Sequence, residues 1–394
     1  MDVEKNSPSI GLVACIYLAS AMMLGAVGSV SPALPSIVEE YATLSNVTFM
    51  AQLVVTLPSL AIALFSPMIG HWMNRVNKVR CLAGFLILFT LAGSAGYWLE
   101  HLVLLMLSRF VLGIAIAGLM TTTMTLIIEL FQGTRREKMI SHQQAALNFG
   151  AIFVVAFSGY LAVFDYKLLF LINLLALPMV LLLRPSQYRC PTESSSVLGF
   201  TEGLKLVRFA FVPCITVFLF FALTYFIPTR LSLIIAEMVP ENSSILISTM
   251  MISLTISAGI TSLLHARAER LLGRDSLPVI SGVMTGIAFL LFGHQSSLAV
   301  IYFAVVLVGV SIGLLIPVMI GNSIKGLPPQ ARGIISGLIT SCVFMGQFIS
   351  PVISNAVISQ FELTGFINFA ASLMFLLALY YLRQAGELSQ RIKQ

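Results

Sequence analysis

Twelve long apolar runs, separated by short polar gaps, make up most of the 394-residue sequence. They lie at about residues 10–33, 48–69, 79–98, 102–131, 142–164, 168–183, 209–233, 245–265, 277–294, 298–322, 333–359 and 365–382. Each is near or above the ~20 residues that an α-helix needs to cross ~30 Å of hydrocarbon, and the longer ones must tilt or protrude. The pattern predicts an all-α integral membrane protein with twelve transmembrane helices and no separate soluble domain.

The longest polar gap divides these runs into six and six. We therefore predict a bundle over residues 1–183, a cytoplasmic linker over 184–208 and a second bundle over 209–394. Halves with the same orientation imply a parallel duplication about an axis normal to the membrane. The gaps after runs 2 and 8 support this, because Asn74 and Arg75 in one match Glu269 and Arg270 in the other.

The basic residues are distributed asymmetrically between the gaps. Nineteen of the 22 Lys and Arg residues lie in alternate gaps, and two more, Arg109 and Arg230, lie within or at the edge of runs. The gaps of opposite parity hold Lys167 alone, together with seven acidic residues: Glu39, Glu40, Glu100, Asp165, Glu237, Glu241 and Glu362. By the positive-inside rule, this pattern predicts that both termini face the cytoplasm.

Composition supports this membrane assignment and narrows the partners. The chain is 58% hydrophobic and 10% charged, with a mean hydropathy of +0.97, whereas soluble domains carry about 25% charged residues. We attribute the net charge of +6 to the orienting loops and expect no nucleic-acid partner. Five cysteines without paired spacing indicate neither a disulfide framework nor a metal site, and no cofactor is expected.

The gap after run 2 carries a recognisable motif: Gly70, Asn74, Arg75, Lys78 and Arg80. Its spacing resembles the loop between helices 2 and 3 of the major facilitator superfamily, where a Gly is followed four residues later by Asp-Arg, then by Gly and basic residues. In that family the acid pairs with a basic residue and a helix N-terminus, which latches the outward-facing state.

This sequence departs from the motif twice, with Asn74 in place of the acid and Asn77 in place of the second Gly. An asparagine can accept a hydrogen bond but carries no charge. We therefore expect either a weaker latch or one in which Glu269, beside Arg270 in the second half, carries more of the interaction.

Other segments extend the resemblance over the whole chain, especially to twelve-helix exporters. They are Pro32–Pro35, Arg109–Gly118, Gly313–Pro317 and Pro328–Gly333. The antiporter motif of helix 5 is only partly present: Gly150 and Gly159 remain, but two valines replace its Gly-Pro pair. Run 11 matches the motif better, with Gly346 and Pro351. With Gly113, these small or kinking residues are our candidates for close helix packing. The resemblance implies two six-helix bundles.

Three charged residues are candidates for chemistry inside the membrane, where a charge costs several kcal/mol unless it is wet or paired. Arg109 is placed roughly 10 Å inside the boundary, so it either binds an anionic group or tunes a proton site, or else hydrogen-bonds backbone carbonyls. Arg230 either snorkels to the outer interface or is turned inward by Pro228. Glu129 is a candidate proton carrier, with an ion pair to Arg135 or Arg136 as its alternative.

Uncharged polar residues complete the candidate site. Gln52, Asn148 and Gln347 are expected to line a central cavity, because runs 2, 5 and 11 pack around it in the family that the chain resembles. His142, at the start of run 5, is a further titratable candidate.

These features favour a secondary active transporter in the bacterial cytoplasmic membrane, acting as a monomer by alternating access. The resemblance implies proton-coupled efflux of small amphiphilic compounds. The alternative is a carrier of an anionic metabolite or carboxylate siderophore, suggested by Arg109 and Arg230. An enzyme is not expected, because the five histidines lie near run ends on alternating sides and cannot converge on one catalytic centre.

Overall fold

The computed structural model describes residues 9–73, 76–183, 200–293, 297–324 and 329–393. No β-strand occurs in these ranges. The helices in the first part of the chain are α1 (Ile10–Gly28), α2 (Leu34–Glu40), α3 (Val47–Met73), α4 (Lys78–Ser94), α5 (Leu102–Leu130), α6 (Gly133–Ala162) and a 3₁₀ helix (Tyr166–Leu182). Those that follow are α7 (Phe200–Thr224), a π-helix (Ile227–Leu231), α8 (Ser232–Met238), α9 (Ser243–Leu272), α10 (Ser276–Gly293), α11 (Leu298–Ile324) and α12 (Pro329–Lys393).

Ten helical segments in the described ranges are long and apolar enough to cross a membrane. The last of them, Ile334–Ala385, holds two of the predicted runs, because Glu362 adopts a left-handed φ of 61° and breaks the helical path between them. The shorter apolar helix Tyr166–Leu182 accounts for run 6. Its 3₁₀ rise of about 2.0 Å per residue lets it span ~34 Å, whereas the same residues in an α-helix would cover only ~25 Å. All twelve predicted spans are thereby present.

Two local signals explain where helices begin. Asn77 is the N-cap of α4, and its side-chain oxygen accepts hydrogen bonds from the backbone N–H groups of Val79 and Arg80, both at 3.1 Å. An N-cap asparagine satisfies donors that a helix start otherwise leaves unpaired. This accounts for an asparagine where the family motif has its second Gly. Asp165 caps the 3₁₀ helix by accepting from the Lys167 N–H at 2.8 Å.

The chain forms two compact units. The first comprises Met1–Val197 and Leu231–Ser248, and the second comprises Leu198–Arg230 and Thr249–Gln394. In the first, α1 packs on α6, α3 on α5, and α4 on both α5 and the 3₁₀ helix; in the second, α7 and α10 pack on α12. Helix α7 begins at Phe200, inside the stretch assigned to the linker, and residues 184–199 of that stretch lie outside the described ranges.

Each unit contains the same kind of close glycine contact between its own helices. A Cβ at Gly113 of α5 would overlap the Pro58 carbonyl of α3, and one at Gly313 of α11 would overlap the Ala258 carbonyl of α9. In the same way Gly150 of α6 meets Ala21 of α1. The second unit repeats this where Gly346 of α12 meets Phe218 of α7. Close approach of two helix backbones requires a residue without a side chain at each of these places.

Candidate polar site

A buried polar cluster joins three helices of the first unit. The side-chain amide of Gln143 on α6 donates to Ser20 Oγ on α1 at 3.2 Å and to Thr123 Oγ1 on α5 at 2.9 Å. Ser20 and Thr123 lie ten residues after the start of α1 and seven before the end of α5, and Gln143 lies ten after the start of α6. At 1.5 Å per residue, all three are about 10–15 Å from the helix ends that the charge pattern assigns to the cytoplasm.

Local helix geometry prepares the two hydroxyl groups to accept these bonds. Ser20 Oγ donates to the carbonyl of Ile16, and Thr123 Oγ1 donates to that of Leu119, both at 2.8 Å. Each hydroxyl proton is therefore used within its own helix, and the oxygen lone pairs point to the donors of Gln143. Such interhelical bonds average ~0.6 kcal/mol each in membranes, so the cluster specifies the packing of the three helices more than it stabilises them.

An exposed histidine adjoins this cluster. The ring of His142 meets the Tyr17 ring edge-on, with centroids 6.1 Å apart, and its Nδ1 atom is 3.5 Å from the Tyr17 hydroxyl. The same hydroxyl donates to Met139 Sδ at 3.0 Å. Histidine changes charge between pH 5 and 8 more readily than any other side chain. This arrangement places an accessible imidazole beside Tyr17, one residue before the buried Gln143.

Sequence patterns did not single out Ser20, Tyr17 or Gln143. The signal that could have identified them is helical spacing at equal depth: Tyr17 and Ser20 are three residues apart in α1, and Met139 and Gln143 are four residues apart in α6. Such pairs share one helix face.

Glu129 forms an ion pair near the same end of the first unit, but not with the predicted partners. Its Oε1 atom is 3.2 Å from Lys78 Nζ, and the two side chains are 24% and 3% exposed, respectively. Arg136 donates instead to the carbonyl of Phe131 at 2.8 Å, and Arg135 lies over the Phe131 ring. The expected pair with Arg135 or Arg136 is therefore wrong, because both guanidinium groups are held at the α5–α6 connection.

The pair links the first residue of α4 to the last turn of α5. Of the other motif residues in this loop, Arg80 is exposed, and Gly70 has room for a Cβ in ordinary contact with Thr121. Asn74 and Arg75 lie outside the described residues.

In the second unit, a polar contact likewise joins the start of α10 to the end of α11, as the Lys78–Glu129 pair joins α4 to α5. Arg274, just before α10, donates from Nε to Asn322 Oδ1 near the end of α11 at 2.7 Å, and its Nη1 is 3.6 Å from Glu269. Arg270 donates from Nε to the Ala266 carbonyl at 3.2 Å. Glu269 thus pairs with Arg274. The match between the two halves had made Arg270, not Arg274, the counterpart of Arg75.

Arg109 is held inside the first unit at 1% exposure. Its Nη2 donates to the carbonyls of Ala92 and Gly93 at 3.1 and 2.7 Å, and the guanidinium lies 4.7 Å from the centroid of the Phe170 ring. Its Nε and Nη1 have no hydrogen-bond partner among the described residues. Of the roles predicted for Arg109, hydrogen bonding to backbone carbonyls is the one seen here.

Arg230 lies in the π-helix Ile227–Leu231 with Pro228. The side chain is half-buried and its Nε is buried without a hydrogen-bond partner in the described part of the chain. This fits the inward-turned alternative better than snorkelling to the interface, since a snorkelling Arg keeps its head group in water.

The remaining candidates are dispersed. Gln52 is buried in α3 and Gln347 in α12, whereas Asn148 is half-buried in α6. Gly159 lies against Ser248 within the first unit, and the Pro351 carbonyl in α12 accepts from the Asn355 amide at 2.7 Å. That Gln52, Asn148 and Gln347 line one cavity stays a prediction.

The apolar helices define a polytopic membrane protein, and comparison with known proteins specifies the family. The model of the Major Facilitator Superfamily matches residues 14–351, so the chain belongs to that superfamily. The multidrug resistance protein MdtG of Proteus mirabilis is 26% identical over 168 residues, covering 39% of this chain and 40% of MdtG. MdtG of Escherichia coli K12 is 26% identical over 152 residues, covering 38% and 37%. The chain thus spans about two fifths of the length of these curated relatives.

Solved structures share the fold over nearly the whole chain. A bacterial homologue of the human lysosomal transporter Spinster superposes with a TM-score of 0.75 at 15% identity, covering 94% of this chain and 97% of that one. The nucleoside transporter NupG gives 0.74 at 13% identity, covering 94% and 99%. The human organic anion transporter MFSD10 gives 0.68 at 16% identity, covering 96% and 100%. At these identities the likeness establishes the fold alone.

Proposed function

We propose that this protein exports small amphiphilic organic compounds across the bacterial cytoplasmic membrane in exchange for protons. The observation that carries the proposal is the accessible His142 beside Tyr17, next to the buried Gln143 network in helices α1, α5 and α6. A proton-coupled carrier needs a protonatable group in or near its pathway. The relation to multidrug resistance proteins supports efflux, although it covers only part of either chain.

In this proposal the coupling group is His142 rather than Glu129. Glu129 is committed to Lys78 at 3.2 Å, and we assign that pair to the latch between α4 and α5. The hydrogen-bonded Arg274 and Asn322 are its counterpart in the second unit. The protein then works by alternating access, with the latch residues stabilising one of the two states.

Arg109 bears on the class of substrate. Its Nε and Nη1 have no partner among the described residues, but the side chain is only 1% exposed and lies against two carbonyls and an aromatic ring, so an anion has no access to it in this state. This weighs against the anionic alternative as far as Arg109 supported it. Arg230 keeps that alternative as a second candidate, because its half-buried guanidinium has an unsatisfied Nε in the described part of the chain.

The experiment is substrate-driven proton movement in proteoliposomes with a pH-sensitive dye inside. Lipophilic cations and organic anions are supplied separately to wild type, His142→Gln, Arg230→Gln and the control His71→Gln, which changes an exposed histidine at the end of α3. We expect cations to move protons, and His142→Gln to lower that flux at least tenfold while His71→Gln leaves it unchanged. If only anions move protons, and Arg230→Gln abolishes that response, the proposal of amphiphile efflux is wrong and anion transport takes its place.

A further inference from the structure

Two cysteines that are 128 positions apart in the sequence meet in the second unit. Cys214 is buried in α7 and Cys342 is half-buried in α12. Their thiols lie close enough to interact with each other. The sequence spacing of the five cysteines did not point to this pair. The remaining described cysteines, Cys15 in α1 and Cys81 in α4, are free as well.

The helix geometry around the pair is independent evidence that the two backbones are close. One turn beyond Cys342, a Cβ added at Gly346 would meet the carbonyl oxygen of Phe218, which is one turn beyond Cys214. Because the contact advances by four residues on both helices, α7 and α12 run in parallel and in register here. Only a glycine allows this approach, so the two cysteine Cα atoms are held at the helix–helix contact by the neighbouring turn. Disulfides require Cα atoms about 4.4–6.8 Å apart.

A second contact, two residues along α7 from Cys214, ties α7 to the later part of α12. Thr216 Oγ1 and the Tyr381 hydroxyl are 2.8 Å apart, and the Tyr381 hydroxyl also donates to Met319 Sδ of α11 at 3.4 Å. These bonds limit rotation of α7 about its axis, which would otherwise carry Cys214 away from Cys342. The half-buried position of Cys342 gives small lipid-soluble reagents access to the pair.

We propose that Cys214 and Cys342 form a redox-active dithiol that closes to a disulfide and cross-links α7 to α12. In this step the two S–H bonds break and one Sγ–Sγ bond forms. Two protons and two electrons pass to a lipid-soluble two-electron acceptor of the quinone class, which becomes a quinol. Reduction by an added dithiol reverses the step by thiol–disulfide exchange.

The test counts free thiols on the full-length protein in membranes. In a variant with Cys15→Ala, Cys81→Ala and Cys190→Ala, only the pair remains. The membranes are treated with a tetra-substituted benzoquinone, which accepts two electrons but has no free ring position to add a thiol. They are then denatured and labelled with a 5-kDa maleimide polymer, so each free thiol adds one gel shift. We expect two shifts before oxidation, none after it, and two again after dithiothreitol.

Matched controls separate the cross-link from other thiol loss. Adding Cys214→Ser to this variant leaves one thiol, which we expect to stay labelled after oxidation. Loss of that label, or dimers on a non-reducing gel, would mean that the thiols react singly or between molecules, and would overturn the proposal. So would two shifts that persist through oxidation. Because a triple variant can fold poorly, the wild-type protein is also digested after oxidation; a peptide joining residues 214 and 342 is expected, and its absence contradicts the proposal.

Discussion

The ion pair between Lys78 and Glu129 allows a quantitative test of the packing between α4 and α5. At 3.2 Å the two charges attract by about 5 kcal/mol at an effective dielectric constant of 20, before desolvation is counted. Desolvation of a nearly buried ammonium group offsets much of this. Lys78 is also the first residue of α4, where the helix dipole disfavours a cation by ~0.5 kcal/mol. We therefore expect a coupling free energy of about 1–3 kcal/mol.

The two single substitutions should differ in cost. Glu129→Gln removes the carboxylate from a 3%-exposed lysine, and we expect a loss of about 2–3 kcal/mol. Lys78→Gln leaves a carboxylate that is 24% exposed and can be hydrated, and it removes the unfavourable dipole interaction, so its cost should be nearer 1 kcal/mol. In the double variant the loss should be smaller than the sum of the two.

The assay is thermal unfolding of the detergent-purified protein at pH 7.5, followed by tryptophan fluorescence. At about 2 °C per kcal/mol for a large chain, Glu129→Gln should lower Tm by ~5 °C. The control is Glu137→Gln, which changes an exposed acid in α6 and should leave Tm within ~1 °C. If Glu129→Gln is no worse than Glu137→Gln, or if the single effects add fully in the double variant, the pair does not couple α4 to α5.

Three further substitutions test other contacts of the first unit. Arg109→Leu should cost about 2–4 kcal/mol and lower the monodisperse yield in size-exclusion chromatography, because two carbonyls lose their donor; full yield would argue against this role. Gly150→Val should prevent folding, because the side chain would push α6 away from α1. The control Gly84→Val should fold normally, because a Cβ at Gly84 has no neighbouring atom within 4 Å. Equal yields of the two variants would contradict the packing. Gln143→Leu should lower Tm by only ~2–3 °C. A loss above ~5 °C would show that the cluster is worth more than two membrane hydrogen bonds.

Features encoded in consecutive residues could be predicted. The twelve spans follow from hydropathy, because the bilayer demands about twenty apolar residues and internal backbone hydrogen bonding from every crossing segment. The glycine-punctuated motifs were enough to identify the superfamily, and they placed Gly113, Gly150 and Gly346 within the runs where the structure puts helix backbones close together. The solitary cation among the acidic gaps, Lys167, has an ion pair with Glu40 at 2.9 Å.

Partnerships between distant residues could not be predicted in the same way. For Glu129 the neighbours in sequence, Arg135 and Arg136, were plausible, yet the structure supplies Lys78 from another helix. The choice depends on how α4 and α5 are rotated about their axes, which hydropathy does not encode. The shortness of run 6 was visible, whereas the 3₁₀ geometry that lengthens it was not.

By itself, then, the sequence determined the number of spans, the family and the sites where two helix backbones must approach, since each is a property of local composition in a bilayer. The tertiary structure alone decided which polar groups meet, including Gln143 with Ser20 and Thr123, and Cys214 with Cys342. Those contacts depend on the rotation and depth of helices that are far apart in the chain. In lipid, where apolar surfaces do not discriminate between partners, these two variables are set by small residues and interhelical hydrogen bonds.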